Sequence, residues 1–181
     1  MSKISVEISG KECTVNGEKL NCSKTGAEML MELYRKYVGD YPKFYKMDSL
    51  SRLGFIASEL VLQKDAELNG TTRFESNENR KIILANNNAS LNTDLKYSGT
   101  IGKDNYYPSP SLFVYTLPNI TTGEIAIRNK YYGESCFLVL ENIEQFREVL
   151  QTIELESDAL AGWVEYNDDN DYNCTMWIEK H

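Results

Sequence analysis

Histidine is almost missing from this chain: the single one, His181, is its last residue. The four cysteines, Cys13, Cys22, Cys136 and Cys174, include no C-x-x-C pair. A zinc site or a Cys–His catalytic pair has almost no residues to draw on, and no metal is expected. Phosphate- and dinucleotide-binding loops are missing too. Neither G-x-x-x-x-G-K-S/T nor G-x-G-x-x-G occurs, Gly26 and Gly54 fit no such loop, and no cofactor is expected. No apolar run reaches the roughly 18–20 residues of a membrane span. The opening MSKISVEISGKE lacks an apolar signal core, so a cytoplasmic protein is expected. The sequons at Asn21, Asn69, Asn88, Asn119 and Asn173 then carry no meaning. Positive charge is in deficit, with 19 Lys and Arg against 27 Asp and Glu and a net charge of −8. That balance argues against a nucleic-acid or anionic-membrane partner.

What remains is an ordinary globular composition, 41% hydrophobic and 25% charged over 181 residues, enough for one cored domain with at most a small extension. Residues 3–8 and 12–20 alternate, are split by Ser9-Gly10, and read as a hairpin with a second tight turn at Asn16-Gly17. Ser23 or Thr25 caps a helix over 26–37, with Met29, Leu30, Leu33, Tyr34 and Tyr37 at helical spacing. Asp48 or Ser49 opens a second helix to about Gln63, in which Gly54, Ala57 and Ser58 permit close packing. Residues 64–79 read as surface loop, 81–85 as a buried strand, 86–90 as a tight polar turn and 93–101 as a short helix. The stretch from Pro108 to Asn129 reads as one buried helix. Residues 136–140 form a continuous apolar run, expected as a strand covered on both faces. Asn142 then opens an amphipathic helix, and 159–166 and 174–179 are strands joined by the acidic loop NDDNDYN. The order is that of an α/β protein.

Three stretches together resemble the N-terminal half of β-ketoacyl synthases, in the thiolase-like superfamily. The first is Lys46 to Leu53, through Met47, Asp48, Ser51 and Arg52. The second is the strand and polar turn from Lys81 to Thr93. The third and most specific runs from Pro108 to Gly133, through Pro110, Phe113, Asn119 and Gly123. The resemblance covers roughly residue 28 to the end. It implies a thiolase-like half: a five-stranded mixed sheet with helices packed on its faces. Residues 1–25 would be an N-terminal hairpin extension and 26–181 the thiolase-like domain.

The family's nucleophile is a cysteine at the helix start that follows Gly133. Counting on without gaps, Asn142 stands there, flanked by Glu141, Ile143 and Glu144. An amide is not a nucleophile toward thioesters, and Cys136 lies six residues upstream in mid-strand. The family's two catalytic histidines belong to its C-terminal half, and this chain stops before it. Asn142 has a structural reading of its own, as an N-cap with Gln145 completing a capping box. In glutamine-bearing relatives an amide at this position supports decarboxylation, which Asn142 would parallel only without histidines. The following helix is polar along Glu144, Arg147, Glu148, Gln151 and Thr152, so it is expected to face water there rather than dock a second half.

Phe113, Asn119, Thr122 and Asn142 are the candidate pocket. The hydroxyls of Thr116, Thr121 and Thr122 have a plainer alternative, backbone bonds within a buried helix. Tyr106, Tyr107, Tyr131 and Tyr132 suit a binding face or core-edge packing equally. By the resemblance, the 136–140 strand is the one to pair across a dimer. The expected function is a non-catalytic ketosynthase-like binding or accessory protein in fatty-acid, polyketide or aryl-polyene-type biosynthesis, with a ketosynthase or acyl carrier protein as partner. One alternative is a 3-oxoacyl-carrier-protein synthase component active only with a partner subunit; another is a stand-alone small-molecule binder. A carrier protein, itself acidic, would need a local basic patch from Lys43, Lys46 and Arg52 or from Arg128 and Lys130.

Overall fold

The structure is a computed structural model that describes residues 4–74, 78–104 and 107–180. The chain opens with β1 (Ser5–Ser9), β2 (Cys13–Val15) and β3 (Glu18–Lys19), then α1 (Gly26–Tyr37) and α2 (Ser49–Asn69). It continues through β4 (Lys81–Asn86), α3 (Leu91–Ser98), α4 (Pro110–Val114), α5 (Ile120–Asn129) and β5 (Ser135–Val139). It closes with α6 (Ile143–Thr152), β6 (Ala159–Tyr166) and β7 (Tyr172–Glu179).

The described strands join one mixed sheet in the order β3-β2-β1-β7-β6-β4-β5. β4 lies parallel to both β5 and β6, and the remaining pairs are antiparallel. The sheet therefore has seven strands, not the expected five. The N-terminal segment supplies three of them, β1 to β3, and β4 to β7 are the other four. β1 pairs with β7 along its whole length, from Ser5 opposite Trp177 to Ser9 opposite Asn173. Val6 and Ile8 are buried there, so the hairpin extends the sheet instead of hanging from it. Asn16 and Gly17, with φ of 52° and 81°, make the tight turn that their dipeptide predicts.

Strand alternation sorts the side chains onto two faces. Val6, Ile8, Ile82, Leu84, Leu160, Val164, Met176 and Ile178 belong to the larger core, with α1, α2 and α5 above it. Ile83, Ala85, Ala159, Ala161, Trp163 and Trp177 belong to a smaller core under Phe146 and Leu150 of α6. α2 is buried nearly all round, as a helix sandwiched between the sheet and other helices must be. Its close approach to α5 runs through Gly54, where a Cβ would stand 2.6 Å from Cγ2 of Thr121. α6 behaves as its pattern predicts: Phe146 and Leu150 are buried, while Glu144, Arg147, Glu148, Gln151 and Thr152 are exposed.

Three expectations on the elements are corrected. α2 runs to Asn69, because Gly70 takes a left-handed conformation (φ 65°) and caps it there. The stretch from Pro108 to Asn129 is two helices, and no residue of α4 is buried. Pro118 has no N–H with which to continue α4, and α5 begins after it. β5 is only half-buried: Phe137 packs against the larger core and Cys136 and Leu138 against the smaller, but it is the terminal strand of the sheet, paired with β4 alone among the described strands, and Val139 is exposed.

Candidate functional site

Because β4, β5 and β6 run parallel, their carboxyl ends share one edge of the molecule. Open α/β sheets offer a crevice for ligands there. The residues brought together are Asn86–Ser90 after β4, Leu140–Asn142 after β5 and Glu165–Asn167 at the end of β6.

Asparagine amides hold this edge together. Asn86, fully buried, folds the turn onto itself: its Nδ2 donates to the Ala89 carbonyl and its Oδ1 accepts the Ala89 N–H, both at 2.8 Å. Ala89 is thereby kept at a φ of 50°. Leu140 donates its N–H to the Asn86 carbonyl at 2.8 Å. The Asn87 amide donates to the carbonyls of Leu140 and Glu141, each at 3.3 Å. Asn88 and Asn92 donate to Asn167, to its side chain at 2.8 Å and its carbonyl at 2.9 Å.

At the centre stands Glu165, a carboxylate 6% exposed in a strand otherwise apolar and aromatic. Its Oε2 accepts the Asn87 N–H at 2.7 Å. Its Oε1 is buried without a hydrogen-bond partner among the described residues, as is Oδ1 of Asn92. Burial pushes the Glu165 carboxyl above the usual carboxylate range; the Asn87 and Asn88 amides pull it back in part, and Asp171 adds to the rise. Sequence reasoning missed Glu165. The signal was there, as one acidic residue at the carboxyl end of ALAGWVEY.

Asn142 is exposed at the start of α6, with its Oδ1 accepting the Gln145 N–H at 2.9 Å. The reciprocal bond of a capping box falls one residue early: Gln145 Oε1 accepts the N–H of Glu141, at 2.9 Å. The other three candidates lie on the α4–α5 segment. Asn119 is exposed, and its carbonyl accepts the hydroxyl of buried Thr122 at 2.8 Å. Thr116 donates to the Phe113 carbonyl, so both hydroxyls take the plainer, backbone role. Thr121 instead meets Ser51 of α2, oxygen to oxygen at 3.1 Å. Phe113 is exposed with its ring 5.5 Å from that of Tyr97. The Ser90 hydroxyl donates to the Thr116 carbonyl and ties this segment to the strand ends. No hydrogen bond among the described residues joins Asn142 to Phe113, Asn119 or Thr122.

All four thiols are turned away from the thiolate. Burial raises Cys136, with the Glu134 charge adding to it. Burial also raises Cys22, takes Cys13 up to about 12 and lifts Cys174 further. Among the described residues no three His, Cys, Asp or Glu side chains are grouped to hold a metal ion. Two of the residues proposed for a basic patch are neutralised. Lys43 pairs with Glu124 at 2.8 Å, and Arg128 is bound by Asp40 and Glu59. Tyr107 and Tyr132 are exposed, Tyr131 accepts a hydrogen bond from Arg80, and Tyr106 lies outside the described residues. No helix among the described residues is long and apolar enough to cross a membrane.

No protein-family model matches this chain, and no curated protein does. Solved structures resemble it. The ishigamide ketosynthase/chain length factor superposes with a TM-score of 0.60 at 16% identity, over 81% of this chain and 47% of the other. A structure of a ketosynthase (ApeO) in complex with its chain length factor (ApeC) from Xenorhabdus doucetiae superposes with a TM-score of 0.57 at 13% identity. That match covers all of this chain and 78% of the other. The chain thus spans about half the length of the first and over three quarters of the second. The fold is the mixed α/β, thiolase-like one of ketosynthase/chain length factor proteins.

Proposed function

We propose that the chain is a ketosynthase-like accessory protein of fatty-acid, polyketide or aryl-polyene-type biosynthesis, with no acyl-accepting nucleophile of its own. One observation carries this reading: the side chain at the helix start where a nucleophile would stand is an amide, already used to cap α6. The thiols support it, since burial holds each of them protonated. The mode of action is association with a ketosynthase through the unpaired edge of β5, where Val139 is exposed beside half-buried Cys136, Phe137 and Leu138. A second copy of this chain is the alternative occupant of that edge. An acyl carrier protein is the less suitable partner, because Lys43 and Arg128 are paired with acids and the chain is acidic.

The test is to mix the purified chain with a ketosynthase from its own cell and to separate the mixture by size with light scattering. An equimolar complex is expected, lost when Val139 is replaced by Lys. A chain that elutes alone or self-paired in the presence of the ketosynthase overturns the reading.

A further inference from the structure

The turn before α6 is tied to the buried Asn86 carbonyl through the Leu140 N–H, and it is also fastened to a buried acid in two steps. Glu165 Oε2 accepts the Asn87 N–H at 2.7 Å. The side chain of the same Asn87 then holds the carbonyls of Leu140 and Glu141, the two residues before Asn142. Asn87 thus faces the acid with its backbone and the start of α6 with its amide. We propose that Glu165 is a proton-sensitive positioning residue, which sets the entry of α6 through Asn87.

The geometry gives each protonation state a distinct set of bonds. As a carboxylate, Glu165 is a charged acceptor for the Asn87 N–H, and such bonds are roughly twice as strong as neutral ones. Its second oxygen then stays buried with no hydrogen bond within normal length among the described residues, the Asn88 amides being the donors that act on it. A single proton on the carboxyl removes the buried charge and weakens the grip on Asn87. Among the described residues no ion pair fixes the charge. The β4–α3 turn brings the amides of Asn87 and Asn88, β7 brings Asn173 opposite Glu165, and the β6–β7 turn brings Asp171, an acid. Glu141 takes part through its carbonyl. Burial moves the Glu165 transition above the ordinary glutamate range.

The inference rests on these bonds and not on the accessory-protein reading, so either can fail alone. It is tested by following amide signals of the whole chain by NMR as pH is varied. The Asn87 backbone and side-chain amides and the Glu141 and Gln145 amides are expected to shift with one shared midpoint, above the ordinary glutamate range. In Glu165→Gln, which keeps an acceptor for the Asn87 N–H, the fold is retained and the shared shift is lost. In Asn87→Ala, the backbone N–H of residue 87 still shifts with pH while the Glu141 and Gln145 amides no longer follow it. The proposal is overturned if Glu141 and Gln145 move independently of Asn87 in the native chain. Persistence of the shared shift in Glu165→Gln overturns it equally.

Discussion

Asn142 and Gln145 hold the start of α6 between them. Asn142 Oδ1 accepts the Gln145 N–H, and Gln145 reaches back past Asn142 to the N–H of Glu141, both at 2.9 Å. The pair satisfies two backbone donors at the start of α6.

Asn142→Ala should cost about 1 kcal/mol of stability, as losing an N-cap typically does. Asn142→Ser or Asn142→Asp should cost far less. Chemical denaturation of the three variants checks the order; equal losses in all three would show that the side chain does more than cap.

Glu165 is buried, with its pKa raised. Between the ordinary glutamate range and that raised value, the folded chain binds more protons than the unfolded one, so folding stability falls as pH rises through this window. Below the window the contribution is level. Glu165→Gln removes the titration. Its stability relative to the native chain should therefore improve as pH rises through the window, which melting at a series of pH values measures.

Gly54 faces Thr121 with no room for a side chain. Gly54→Ala should destabilise by roughly 1–3 kcal/mol through overpacking, outweighing its gain in helix propensity. Thr121→Ser removes the obstructing Cγ2 and keeps the hydroxyl that meets Ser51. The double variant should recover much of the loss, a coupling that a double-mutant cycle reads directly.

Glu59 lies buried between two arginines. Its Oε1 meets Arg73 at 2.5 Å and its Oε2 meets Arg128 at 3.4 Å. Burial raises its carboxyl and both guanidinium groups lower it. Glu59→Ala leaves two cations without their shared partner and should cost about 3–5 kcal/mol. Thermal unfolding checks it, and a loss no larger than that of an exposed pair such as Lys64–Glu67 would contradict the account.

Much of the fold was legible because its signals are local. The spacing of Met29, Leu30, Leu33 and Tyr34 placed α1 at the residues it occupies, and Asp48 caps α2 as read, accepting the Ser51 N–H at 2.9 Å. What failed depended on distant partners. The alternation of Val6 and Ile8 identifies a strand but not its neighbour, and β7 lies at the far end of the chain. The apolar run at Cys136–Leu140 looks the same whether a strand is central or terminal. Pro118 and Gly70 were readable punctuation, outweighed by the apolar run around one and the polar residues around the other. At the site, the capping role of Asn142 was legible by pattern. The contact of Glu165 with Asn87 was not, because it joins the end of β4 to β6 across intervening chain.

The account's central claim is that this chain takes no acyl group of its own. The most direct measurement is the intact mass of the purified chain after incubation with acyl-carrier-protein thioesters, beside a competent ketosynthase as control. The expected result is an unmodified mass for this chain while the control is acylated. A stable, stoichiometric acyl adduct on this chain, mapped to any of its cysteines, would contradict it.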